Sequence, residues 1–185
     1  MDLLTALAAR RSIGKVKPDP VPRELIERLL TAGAQAPNHH QVRPWRFVVF
    51  TGAGRERLGE AMAAAVQRKK PETPAEGLAA ERAKALRAPV LIAVGVDLPT
   101  EPKVVALENV CAAAAAAQNL LLAAAAQGLA AIWRTGPAVD APEVKAVCAL
   151  TPEQPLIGIV YVGYPLAEPT QTPRPSFEDR TTWVE

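Results

Sequence analysis

With 185 residues, 49% of them hydrophobic, the chain is long enough for one domain with a substantial core, and an aromatic content of 4% means that core is built mainly from alanine, leucine and valine. A formal charge of +2, from 21 basic and 19 acidic residues, is too balanced for a nucleic-acid or membrane-surface footprint. Two cysteines form neither a disulfide framework nor a metal-ligand spacing, so a reduced, cytoplasmic setting is expected.

Leu3, Leu4 and Leu7 put a helical stripe on residues 2–10. No secretory leader is expected there, since Met1-Asp2 lacks a basic n-region and Arg10 and Arg11 cut the apolar run short. Pro18, Pro20 and Pro22 hold the next stretch extended, and Pro22 opens a second helix. Leu25, Ile26, Leu29 and Leu30 give that helix its apolar face, and it ends before Pro37. Phe47 to Phe50 reads as a buried strand, residues 55–69 as a helix, and Pro71 through Gly77 as a hinge or lid.

After a further short helix come a strand at Val90 to Val96 and a long alanine helix over 103–127, stopped at Gly128. A membrane span over Val104 to Ala126 is disfavoured: the stretch holds Glu108, Asn109, Gln118 and Asn119, and its many alanines add little to insertion. Ala130 to Trp133 is a strand, 142–149 a short helix and Leu156 to Val162 a strand. The proline-rich tail from Pro165 is expected to run extended over a surface, with a partner subunit as a candidate. Four apolar strands interleaved with helices predict an α+β fold, a small sheet covered by helices in a single domain over 1–185. The small side chains of the alanine helix also suit close pairing with a second long helix.

Several chemistries fail on inventory. Thr51 through Gly59 follows a strand and opens a helix, but the third glycine of a dinucleotide fingerprint is needed at Arg57 and falls at Gly59, so the segment is read as a plain strand-to-helix turn. The only serines are Ser12 and Ser176, neither in a nucleophile elbow, and the only imidazoles are His39 and His40, whose adjacent side chains diverge and make no zinc site. Cys111 and Cys148 sit on apolar helical patterns where burial is the norm.

Cofactor chemistry remains. Arg10-Arg11-Ser12 sets paired guanidiniums beside a hydroxyl, and guanidinium forks bind phosphate oxygens through two donors at once. Trp133-Arg134-Thr135-Gly136, at a strand end, combines an aromatic, a cation and a glycine, which suits a flat, polar-edged ring that needs close backbone approach. Each stretch alone has an ordinary explanation: arginines end helices, a loop histidine finds partners, and a tryptophan fills a core. A phosphate site and a ring site together point to a nucleotide-like cofactor.

Taken in order, the motifs resemble the FMN-dependent nitroreductase family, in particular its minimal, short-chain branch. They are Arg10-Arg11-Ser12, Ala32 through His39 leading into Pro44-Trp45-Arg46-Phe47, Gln127-Gly128-Leu129, Ile132 through Gly136, and Val162-Gly163-Tyr164-Pro165. The resemblance implies a nitroreductase-like α+β fold with a small, mostly antiparallel sheet, a homodimer with FMN at the subunit interface, and a tail reaching the partner. It implies that Arg10, Arg11 and Ser12 hold the phosphate and ribityl end, that Gln35 and His39 come from the other subunit, and that Trp133, Arg134 and Thr135 line the ring. Arg174 stands where a basic tail residue closes the phosphate site in many relatives. Position 35 carries a neutral Gln where close relatives can have Arg. The implied activity is reduction of nitroaromatics, quinones or similar flat acceptors with electrons from NADH or NADPH, by a ping-pong mechanism. FMN carries the chemistry, so no catalytic side chain and no metal are expected. Other flavin chemistry on the same fold (enone reduction, reductive dehalogenation, flavin fragmentation) and flavin binding without useful turnover are the alternatives.

Overall fold

The computed structural model describes residues 2–136, 138–168 and 172–185. Its elements in chain order are α1 (Leu3–Ala9), α2 (Arg23–Gly33), β1 (Trp45–Phe50), α3 (Ala53–Lys69), α4 (Ala75–Lys84), β2 (Val90–Val96), α5 (Ala106–Ala126), β3 (Ala130–Arg134), α6 (Pro142–Val147) and β4 (Leu156–Gly163). Short 3-10 turns lie at His39–Gln41 and Glu178–Arg180. The strands form one antiparallel sheet in the order β1-β2-β4-β3, with Trp45 opposite Val96, Leu91 opposite Tyr161 and Trp133 opposite Val160. This is the expected α+β arrangement.

Helices cover both faces, so the central strand β2 is buried at every residue and reads as an unbroken apolar run. Alternation divides its side chains between two cores. Val90, Ile92, Val94 and Val96 join Val160 and Val162 of β4 against α2 and α5. Leu91 and Ala93 join Ile159 and Tyr161 against α3 and α6.

Alanine is what lets α5 lie close on the sheet: Ala113, Ala116, Ala117 and Ala124 are fully buried together with Leu120. Gly128, at φ +73°, ends the helix and lets the Leu129 N–H donate to the Ala124 carbonyl at 2.9 Å. The outward side of α5 is uncovered, with Leu107 68% exposed. Cys111 lies on this outward stripe and is exposed, so the expected burial holds for Cys148 and not for Cys111. Alanine lies on every side of this helix and its polar Asn109 is itself buried, so no clear polar face says which stripe turns inward. Among the described residues α5 is the one helix long and apolar enough to cross a membrane by length and composition, and here its alanine stripe packs on the sheet.

Some boundaries differ from expectation. Residues 101–105 are not helical, and α5 begins at Ala106. The predicted hinge stops at Pro74, because Ala75, Glu76 and Gly77 already belong to α4, which Pro74 precedes as its cap. Tail residues 172–185 are exposed, while tail residues 169–171 lie outside the described residues.

Candidate functional site

The two distant motifs meet. Leaving α1, the chain runs beside the outer edge of β3, where Ser12 bridges Ala131 in parallel and the Ile13 N–H donates to the Ala131 carbonyl at 3.0 Å. Arg11 uses Nη1 to cap α1, donating to the carbonyls of Ala8 at 2.6 Å and Arg10 at 3.0 Å. Its Nη2 donates to the Thr172 carbonyl at 2.9 Å, and Arg174 Nη2 donates to the Arg10 carbonyl at 2.5 Å. The tail therefore closes over the helix end, and three guanidiniums gather at Ser12. Burial holds the Arg10 guanidinium below the ordinary arginine range, and the like charges of Arg174 and Arg11 push it the same way. Among the described residues neither Arg10 nor Arg174 is ion-paired. Such a cluster suits a phosphate in charge. A cavity of ≈ 570 Å³ opens from Arg10 and Arg11 past Lys17 to Leu121, Ala125 and Gly128 at the C-terminal end of α5.

Gln35 and His39 lie elsewhere. Gln35 is exposed just beyond α2. His39 Nδ1 stands 3.8 Å from Glu108 Oε1, a partner within its own chain that the sequence does not suggest. The loop is held in an unusual conformation, with positive φ at His40, Gln41 and Arg43, and the Asn38 side chain accepts from the Arg43 N–H at 2.8 Å. An open cavity of ≈ 600 Å³ sits between His39 and Leu107, Cys111 and Ala115 of α5. Glu108 and Ala125 are about 25 Å apart on a helix rising 1.5 Å per residue. Within one chain, His39 and the arginine cluster are at opposite ends of α5.

At the end of β3 the side chains alternate between sheet faces. Trp133 packs on the α5 side, its indole Nε1 donating to the Ile157 carbonyl at 3.2 Å. Gly158 makes room for it, since a Cβ there would fall 1.8 Å from Nε1. Arg134 turns to the other face, its guanidinium over the Tyr161 ring at 5.5 Å. Because Ala131 directs its carbonyl to the outer edge, alternation directs the N–H groups of Trp133 and Thr135 to that same edge, further along the strand from the Ser12 bridge. The structure thus joins Arg10, Arg11, Ser12, Arg174 and the backbone of Trp133 and Thr135, and leaves Gln35 and His39 apart from them. Sequence reasoning passed over Lys17, whose signal is a basic residue shortly after the clasp, and the cluster around Tyr161, which leaves no mark in any contiguous motif.

The nitroreductase family's sequence profile matches residues 7–164. The chain belongs to the nitroreductase family. YdjA of Escherichia coli (strain K12), a candidate NAD(P)H nitroreductase by name, is 30% identical over 168 residues that cover 89% of each chain. Among solved structures, a nitroreductase-like family protein from Bacillus cereus is 25% identical with a TM-score of 0.84, over 100% of this chain and 97% of that one. A candidate nitroreductase from Desulfovibrio desulfuricans, solved in complex with FMN, is 27% identical with a TM-score of 0.72, over 95% and 92% of the two chains. The chain keeps the fold of these relatives from α1 to β4.

Proposed function

We propose that this chain is an FMN-dependent NAD(P)H oxidoreductase that reduces flat acceptors such as nitroaromatics and quinones, acting as a homodimer by a ping-pong mechanism. The cluster of Arg10, Arg11 and Arg174 beside Ser12 carries the reading, because like charges brought together without a carboxylate on Arg10 or Arg174 are stabilised by a bound phosphate. The names of YdjA and of the FMN-bound Desulfovibrio protein support the same cofactor and donor.

In this reading Arg10, Arg11, Ser12 and Arg174 hold the phosphate and ribityl end. The ring lies along the outer edge of β3, where Trp133, Arg134 and Thr135 line it and backbone N–H groups of Trp133 and Thr135 aim at its polar rim. A two-fold pairing that runs α5 antiparallel to its copy brings the His39 loop and Gln35 of one protomer to the arginine cluster of the other. The exposed Leu107 on α5 and the exposed Phe177, Trp183 and Val184 of the tail are apolar surface that such pairing buries. When bound, FMN supplies reversible acceptance of a hydride from NADH or NADPH and its delivery to a second substrate. The protein's part is to bind the phosphate, orient the ring and leave one face open. This chemistry needs no activated nucleophile, and burial pushes the Cys148 thiol up to about 12, which keeps it protonated.

The absorbance spectrum of the purified protein tests the reading. A yellow protein that NAD(P)H bleaches without oxygen, and that a nitroaromatic or quinone recolours, supports it. A colourless protein overturns it, and colour without bleaching leaves a flavin-binding protein without turnover. Enone reduction, dehalogenation and flavin fragmentation are separated by offering those substrates to the bleached form.

A further inference from the structure

We propose that the cavity on the α3–α4 side of the sheet, floored by Tyr161 and rimmed by Lys84, Arg87 and Arg134, is a subsite for the oxyanion of a substrate, distinct from the Arg10–Arg174 clasp. The cavity measures ≈ 490 Å³ and opens at the end of β3. Its charge is unbalanced. Three cations face a single buried carboxylate, Glu81, and Lys84 already pairs with it. Arg87 and Arg134 therefore bring two positive charges that no carboxylate among the described residues meets. Both residues line the cavity whose floor is Tyr161.

Arg134 is held in place for this. Its Nη2 lies 2.7 Å from where a Cβ of residue 14 would stand, so Gly14 leaves the space that the guanidinium occupies. The Tyr161 ring supports it from below at 5.5 Å. Its Nε is buried with no hydrogen-bond partner among the described residues. A cation–π contact alone explains the stacking, but it supplies no counter-charge for Arg134 and nothing for Arg87. A phosphate or carboxylate in the cavity supplies the counter-charge that both guanidiniums lack, and the shielded Nε takes no part in that contact. That the oxyanion belongs to a substrate rests on the flavin reading above, because the cavity adjoins the strand end where the ring is expected. Two sources share this chemistry: the phosphates of the nicotinamide dinucleotide and the carboxylate of an acidic acceptor.

The test titrates the enzyme as purified with inorganic phosphate by calorimetry, in wild-type, Arg87→Gln, Arg134→Gln, Arg134→Lys and Arg10→Gln forms. The phosphate step of the cavity is expected to weaken about tenfold in each Gln variant of the cavity and to recover in part in Arg134→Lys, while a separate step lost in Arg10→Gln belongs to the clasp. Arg87 is exposed, so its variant keeps the experiment decisive if Arg134→Gln fails to fold. Unchanged affinity in Arg87→Gln, or a loss confined to Arg10→Gln, overturns the subsite. A colourless protein whose phosphate binding still depends on Arg87 overturns the flavin reading alone. Steady-state constants of Arg87→Gln then separate the sources. A raised KM for NADH and NADPH assigns the oxyanion to the dinucleotide. A raised KM for 4-nitrobenzoate, with nitrobenzene unmoved, assigns it to the acceptor. If no KM moves, the substrate assignment is wrong.

Discussion

Arg10 sits half-buried beside two other guanidiniums, and burial first, then the like charges of Arg174 and Arg11, lowers its affinity for its proton. Replacing Arg10 or Arg11 by Ala is expected to weaken FMN binding by ~1.5–3 kcal/mol, the scale of a charge-assisted hydrogen bond. Fluorescence titration of the apoprotein with FMN measures it, and an unchanged dissociation constant in the double variant removes the clasp assignment. Arg10-Arg11-Ser12 was legible in the sequence because the three residues are contiguous and their donor chemistry is local. Arg174 entered only through the resemblance, since 164 positions separate it from Arg10 and only the folded tail brings its guanidinium to the Arg10 carbonyl. Arg87 and Tyr161 were not legible at all, because Arg87 lies in the turn between α4 and β2, Tyr161 lies within β4, and only the folded chain brings the two to one cavity.

At the scale of elements, α6 is tied to α3 by Arg68 Nε, which donates to Glu143 Oε1 at 2.5 Å. That hydrogen bond holds the Glu143 carboxyl below its usual value of 4.5. A depressed carboxylate contributes stability that is complete above the usual value and is lost as pH falls through the folded one. Arg68→Ala is therefore expected to lower stability by about 0.5 kcal/mol at neutral pH, the worth of a partly exposed pair. Denaturant melts should show the two proteins converging as the pH drops below the ordinary carboxylate range. A constant gap down to strong acid would mean that Arg68 acts by packing instead. Element identities were well read: β2 was bounded at Val90 and Val96, and all four strands and the long helix were placed, because apolar runs between prolines and glycines leave few alternatives. The start of α4 was misread, since Pro71 and Pro74 signal a break while nothing in Ala75-Glu76-Gly77 announces that helix has already begun.

For the whole molecule, the separation of His39 from the arginine cluster along α5 makes a prediction about assembly. Mixing His39→Ala chains with Arg11→Ala chains should yield heterodimers with one intact site, and flavin content and activity above either parent check it. No recovery on mixing would place both contributions in one chain. A single ring site also predicts parallel double-reciprocal plots, because donor and acceptor exclude each other; intersecting plots would require room for both at once. The alanine helix was expected to suit close pairing with a second long helix, and within one chain its outward stripe leaves Leu107 and Cys111 exposed. The inward stripe carries a different consequence. Ala113, Ala116, Ala117 and Ala124 have no bulk to give up, so trimming them to glycine removes one methyl and some helix propensity, whereas any larger residue must push α5 off the sheet that positions both ends of the site. Along this helix, tolerance to random mutation should be lopsided, governed by volume added rather than volume lost, and lineages of this protein are free to drift in charge on the surface but not in size at its centre.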